Sequence, residues 1–154
     1  MLKKVENIFA FEIKIAVAGY VLSALYELAH APLFVFVDAP TVWHKIYYPL
    51  HCALGDLNPF MISYHVVAFW NRDLFWIKKR YFWAEIVVFT AIAVTYTVIA
   101  EIIYVQVKSA WSYKEIMPMV PVLGVGLTPF IQWMVVAPAA LYFIHRLAGI
   151  KANE

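Results

Sequence analysis

Among the ionisable side chains inside long apolar runs of this chain, five fall at one depth: Glu27, His30, His51, Asp56 and Glu101. A charged group at bilayer depth costs several kcal/mol unless it is paired, neutralised or wet. Each of the five therefore needs a partner or a purpose. Glu27 and His30 are three residues apart, which places them about 60° apart on one helical face. His51 and Asp56 fall in the following apolar run with Asn58 and Pro59, and Glu101 is flanked by Thr97 and Tyr104. Carboxyl groups and imidazoles meeting in an apolar setting suit proton transfer to and from a hydrophobic molecule. In that chemistry Glu27 and Glu101 form the acid/base pair, with one held protonated, while His51 and Asp56 complete the catalytic set and His30 orients or shuttles. Structural roles are also open to them: a protonated intramembrane Glu or a core His can be a simple hydrogen-bonding group, and Gly55-Asp56 before Asn58-Pro59 can mark a helix break.

The elements that must position these residues follow from composition. Of 154 residues 64% are hydrophobic and 14% charged, with a mean hydropathy of +0.74. Soluble domains run at roughly 45–50% apolar and 25% charged, so a soluble globule is excluded. Four apolar runs, about 13–37, 47–70, 81–107 and 119–145, are each long enough to cross a bilayer with some tilt. Open backbone cannot be satisfied in lipid, so the runs are read as helices, and their short links make neighbours antiparallel. The expected fold is all-α: a polytopic membrane protein, one integral domain over residues 1–154, an antiparallel four-transmembrane-helix bundle. Nothing is left over for a separate catalytic domain.

Lys and Arg set the expected orientation. Lys3, Lys4, Lys14, Arg72, Lys78, Lys79, Arg80, Arg146 and Lys151 fall on one side, against Lys45, Lys108 and Lys114 on the other. The positive-inside rule then puts both termini in the cytoplasm, in a multi-pass protein of the cell membrane. Trp43, Tyr47, Tyr48, Trp70, Trp76, Phe82, Trp83, Trp111 and Tyr113 lie near the span ends and read as interfacial belts. Pro32 after Ala29-His30-Ala31, with Glu27 inside the run, argues for an uncleaved signal anchor. A formal charge of +2 without a long basic run gives no reason to expect nucleic acid. A single cysteine, Cys52, excludes CxxC redox chemistry. On this topology Glu27, His30, His51, Asp56 and Glu101 all fall in the outer half of the bundle.

The third link and fourth run add Trp111-Ser112-Tyr113, Met117-Pro118, Pro121, Leu123-Gly124, Gly126-Leu127, Pro129 and Gln132-Trp133. Prolines open a helix, glycines allow close approach, and Gln132 near mid-membrane needs a partner. With Glu27, His51, Gly55-Asp56 and Glu101, this pattern resembles a group of small uncharacterised prokaryotic four-helix membrane proteins over most of the chain. That resemblance implies no activity. In architecture, and in membrane-embedded acids beside Trp, the chain also resembles the EXPERA proteins (emopamil-binding and sigma-2-type). Those are four- or five-helix proteins that bind or isomerise sterol-like molecules, and no site residue is carried over from them.

Three functions fit the residues. The first is a pocket for a lipophilic small molecule, with ligand-binding contributions from His30, Asn58, Tyr104, Trp111, Tyr113, Gln132 and Trp133. Trp111, Tyr113 and Trp133 would supply π faces for a developing cation. The second is a redox site. Glu27-x-x-His30, with His51, Asp56 and Glu101, has the ligand types of a non-haem metal centre. For haem b, His51 and His65 lie fourteen residues apart, about 21 Å along one helix, so that His30 with His51 and His65 with His145 could ligate two haems. The third is an accessory role in a homo-oligomer or larger membrane complex, its acids serving as interhelical hydrogen-bonding groups.

Overall fold

A computed structural model describes residues 2–38, 41–79 and 83–147, with side chains at 8–36, 41–79 and 83–146. Arg80, Phe82 and Lys151, and the side chains of Lys3 and Lys4, lie outside the described residues.

Four long helices make up the fold: α1 (Leu2–His30), α2 (Val42–Asn71), α3 (Trp83–Glu101) and α4 (Leu127–Leu147). α1 packs on α2 and α4, and α3 on α2 and α4, closing a four-helix bundle. Three stretches, Ile8–Leu33, Trp83–Val107 and Leu127–Arg146, are long and apolar enough to cross a membrane. α2 is the longest element at 30 residues, but His51, Asp56, Asn58 and His65 dilute its apolar character. Val17, Phe69, Val87 and Val135 are all more than half exposed, which suits a bundle surrounded by lipid.

Local sequence explains where the helices stop. Pro32 cannot continue α1, and the chain passes into two 3-10 turns, Ala31–Leu33 and Val35–Asp38. Thr41 caps α2, its Oγ1 accepting from the His44 N–H. α2 closes at Arg72, a left-handed residue at φ 53° whose N–H returns to Ala68 and Phe69. Pro59 does not break α2. Lacking an N–H, it leaves the Gly55 carbonyl free four residues back, and the Asn58 amide takes that carbonyl at 3.1 Å.

Three elements depart from the sequence expectation. α1 runs Leu2–His30 where a span over 13–37 is expected, because Pro32 ends it early and helix continues back through the charged N-terminal turns. After Glu101 the third helix widens into a π-helix, Ile102–Val107, with Lys108 N–H bonding Ile103 O at 2.8 Å. The fourth helix begins at Leu127, not Met119. Met119–Val120 (β1) and Val125–Gly126 (β2) pair instead as a small antiparallel hairpin. Pro118 and Pro121 deny helical hydrogen bonds there, and Gly124 takes φ +63° in the turn. Gln106, on the π-helix, donates to Leu123 O and Gly124 O at 3.1 Å and holds that turn in place.

The two halves of the bundle differ. Phe60, Phe89, Tyr64, Trp76, Trp133 and Leu141 belong to a continuous apolar core, all of them fully buried. Phe60 meets Phe89 edge-on at 5.0 Å. Trp76 is thus a core residue packed on Tyr64 at 5.6 Å, not part of an interfacial belt, whereas Trp43, Trp70 and Trp83 are well exposed. The polar cavity occupies the other half.

Candidate functional site

The five ionisable residues come together. Glu27, His30, His51, Asp56 and Glu101 all line one cavity of about 280 Å³. Asn58, Tyr104, Trp111 and Gln132 join its lining. Two residues expected to touch a ligand sit one layer back: Tyr113 bonds Glu101, and Trp133, fully buried, donates its indole N–H to Thr97 Oγ1 at 2.6 Å.

Each carboxyl rises from a different helix, and those of Asp56 and Glu101 meet partners from elsewhere in the chain. On α1, Glu27 Oε2 stands 3.0 Å from His30 Nε2, off the line of an ideal hydrogen bond. The other ring nitrogen, Nδ1, lies 3.2 Å from Thr128 Oγ1 at the start of α4. Thr128 donates its own proton to Met117 Sδ at 3.3 Å, so its oxygen is left to accept from His30 Nδ1–H. His30 Nε2 is thereby turned toward the Glu27 carboxyl. On α2, Asp56 Oδ2 accepts from Gln132 Nε2 at 2.6 Å. The buried Ser23 hydroxyl stands within electrostatic reach of Asp56 without a tight bond. On α3, Glu101 accepts from the Tyr113 hydroxyl.

The roof over this cavity is irregular backbone stitched together. Val35 N–H bonds Ser112 O at 3.0 Å and Lys114 N–H bonds Leu33 O at 2.9 Å, with Phe34 and Tyr113 in an antiparallel bridge. Burial first, then the Glu101 carboxylate, push the Tyr113 phenol above its ordinary range. It therefore stays protonated and keeps donating. Tyr104 stacks on Trp111 at 4.9 Å and 15°, and Phe34 meets His30 edge-on at 5.1 Å. Phe34, Phe36 and Tyr96 also line the cavity, and sequence reasoning missed them, as it missed Thr128. Thr128 had one signal, its place beside Pro129 in the opening turn of α4. No Lys or Arg is among the described lining residues.

Gly55 faces open space: a Cβ added there meets nothing within 4 Å. His51, Asn58, Tyr96 and Tyr104 line the cavity yet are exposed. The cavity therefore opens sideways, between α2 and α3.

The redox alternatives find little geometry. Among the described residues no three His, Cys, Asp or Glu side chains stand close enough to hold one metal ion. Glu27 and His30 face each other instead of a common centre. His65 lies outside the cavity, with Nδ1 2.7 Å from Met61 O and Nε2 3.2 Å from Glu12 Oε1. His145 Nδ1 contacts Ile77 O at 2.7 Å. His51 stacks on Tyr47 at 5.6 Å. No known protein family, curated protein or solved structure matches the chain.

Proposed function

We propose that this chain is a multi-pass protein of the cell membrane, with four spans and both termini cytoplasmic, whose outer-half cavity binds a lipophilic small molecule and carries out proton transfer or isomerisation on it. The observation that supports this most is the convergence of three carboxyls, from α1, α2 and α3, on one aromatic-lined space. Structural acids that merely tie helices together have no need of a shared cavity. In this reading α2 is the fourth span, its His51, Asp56 and Asn58 on the cavity and its His65 paired with Glu12.

A volume of about 280 Å³ is at the lower end for ligand pockets. It takes the reactive head of a lipophile while the remainder lies along the opening between α2 and α3. Acceptor oxygens and ring faces, without a lining cation, favour a neutral or positively charged head over an acid. Glu27, with His30 Nε2 3.0 Å away, is the donor of choice. Glu101 and Asp56 accept, and His51 at the opening relays. Trp111 and Tyr104 present ring faces on which a developing positive charge is stabilised.

Filling the cavity tests this reading. Gly55→Phe places a ring in open space without a backbone clash. Lipid extracts of detergent-purified wild type, compared by mass spectrometry, should contain a retained lipophile that is missing from the Gly55→Phe protein and depleted in Glu27→Gln and Glu101→Gln. Indistinguishable extracts from four folded proteins would sink the proposal.

A further inference from the structure

A second concavity lies on the outside of the bundle, between α1 and the end of α4, away from the carboxyl cavity. Its volume is about 700 Å³. Val17, Val21, Ile13 and Phe143 make its walls, and all are about half exposed. From Phe11 to Leu22 it follows α1 for about 16 Å at 1.5 Å per residue. One end carries two cations, Lys14 and Lys78.

Among the described residues those cations have no paired anion. Lys14 sits inside the apolar stretch Ile8–Leu33. The acidic residue nearest in sequence, Glu12, is turned to His65 at 3.2 Å. Among the described residues no carboxylate pairs with Lys14 or Lys78, while the neighbouring Lys79 reaches Glu85 at 3.7 Å. Lys78 is held in place, its Nζ 4.7 Å from the Phe11 ring and 4.5 Å from the Phe75 ring. Ring faces position an ammonium but leave its N–H groups free to donate. The end of an apolar groove thus presents two positive charges, Lys14 inside an apolar stretch, where unpaired charge is costly, and Lys78 in the link beside it.

We infer that this groove holds an acyl chain of a phospholipid whose anionic headgroup sits on Lys14 and Lys78. The apolar walls supply chain burial, and the two ammonium groups supply headgroup selectivity. A zwitterionic lipid fills the same groove but brings its own cation toward the lysines. Charge complementarity therefore separates the two.

The test uses full-length protein, stripped of lipid in neutral detergent, and native mass spectrometry with dioleoyl-phosphatidylglycerol or dioleoyl-phosphatidylcholine as probe. One phosphatidylglycerol should remain bound at least about tenfold more tightly than phosphatidylcholine, a gap of 1.4 kcal/mol. Lys14→Gln and Lys78→Gln should each shrink that preference, and the double variant should abolish it. Lys14→Arg with Lys78→Arg should restore it, and Lys45→Gln, on the other face of the molecule, should leave it intact. Val17→Trp, which narrows the groove, should weaken both lipids. Equal retention of the two lipids by wild type, or an unchanged preference in the folded double glutamine variant, overturns the inference and leaves only annular lipid.

Discussion

The Tyr113 hydroxyl donates to Oε2 of Glu101, twelve residues earlier and across the π-helix that ends the third long helix. That bond joins the roof of the cavity to its wall. Glu101 is nearly buried, at 8% exposure, so Tyr113→Phe strands an acceptor and should cost about 1–3 kcal/mol. Thermal unfolding in detergent, followed by tryptophan fluorescence, measures it.

The same tyrosine gives a pH signature. Its phenol is raised above the ordinary value near 10 by burial and then by Glu101. The folded state therefore holds a proton that the unfolded chain releases first. The stability due to this phenol is complete below about pH 10 and is lost as pH climbs toward the folded value. Between pH 7 and 9 the gap in melting temperature between wild type and Tyr113→Phe should be constant. Above about pH 10 it should narrow.

Asp56 and Gln132 meet at 2.6 Å from α2 and α4. A double-mutant cycle with Asp56→Ala and Gln132→Leu should return a coupling of about 1–2 kcal/mol, the range of interhelical polar contacts in membranes. A coupling near zero in chemical unfolding would show that the two side chains are independent.

Two glycines on neighbouring helices should respond in opposite directions to alanine. A Cβ at Gly19 would stand 2.8 Å from Cδ1 of Phe60, a fully buried ring, so Gly19→Ala should destabilise by about 1–3 kcal/mol. Gly55→Ala meets nothing within 4 Å and should stabilise α2 by up to about 1 kcal/mol through helix propensity. Parallel melts of the two variants separate the effects.

Val122, at the hairpin turn, has φ 72° and is wholly exposed. A β-branched residue is strained there, so Val122→Gly should raise stability by about 1 kcal/mol. The same change at Val120, inside β1, should lower it.

Much of this architecture could be read from residue types. Apolar length placed the third helix, read at 81–107, within a few residues of its observed bounds, and the cost of ionisable groups in lipid picked out the five residues that share the cavity. What escaped was set by contacts between distant segments. The Glu27-x-x-His30 spacing allows two ligands on one ion or a pair facing each other, and only Thr128, 98 residues beyond His30, turns the ring toward Glu27. Apolar content continues through 119–126, so hydropathy runs on where prolines and the Gln106 amide impose a hairpin. Trp76 near a span end reads as an anchor until Tyr64 and the core claim it. The π-helix has no sequence period of its own to announce it.

The separation of the site's partners along the chain also sets a timetable. Asp56 waits for Gln132, 76 residues later, and His30 for Thr128, 98 residues later. At a synthesis rate of about 5–20 residues per second, those intervals amount to roughly 4–20 s. During that time the first two helices carry ionisable side chains whose final partners do not yet exist. Biogenesis of this molecule therefore has a vulnerable interval that ends only when α4 arrives to complete the cavity.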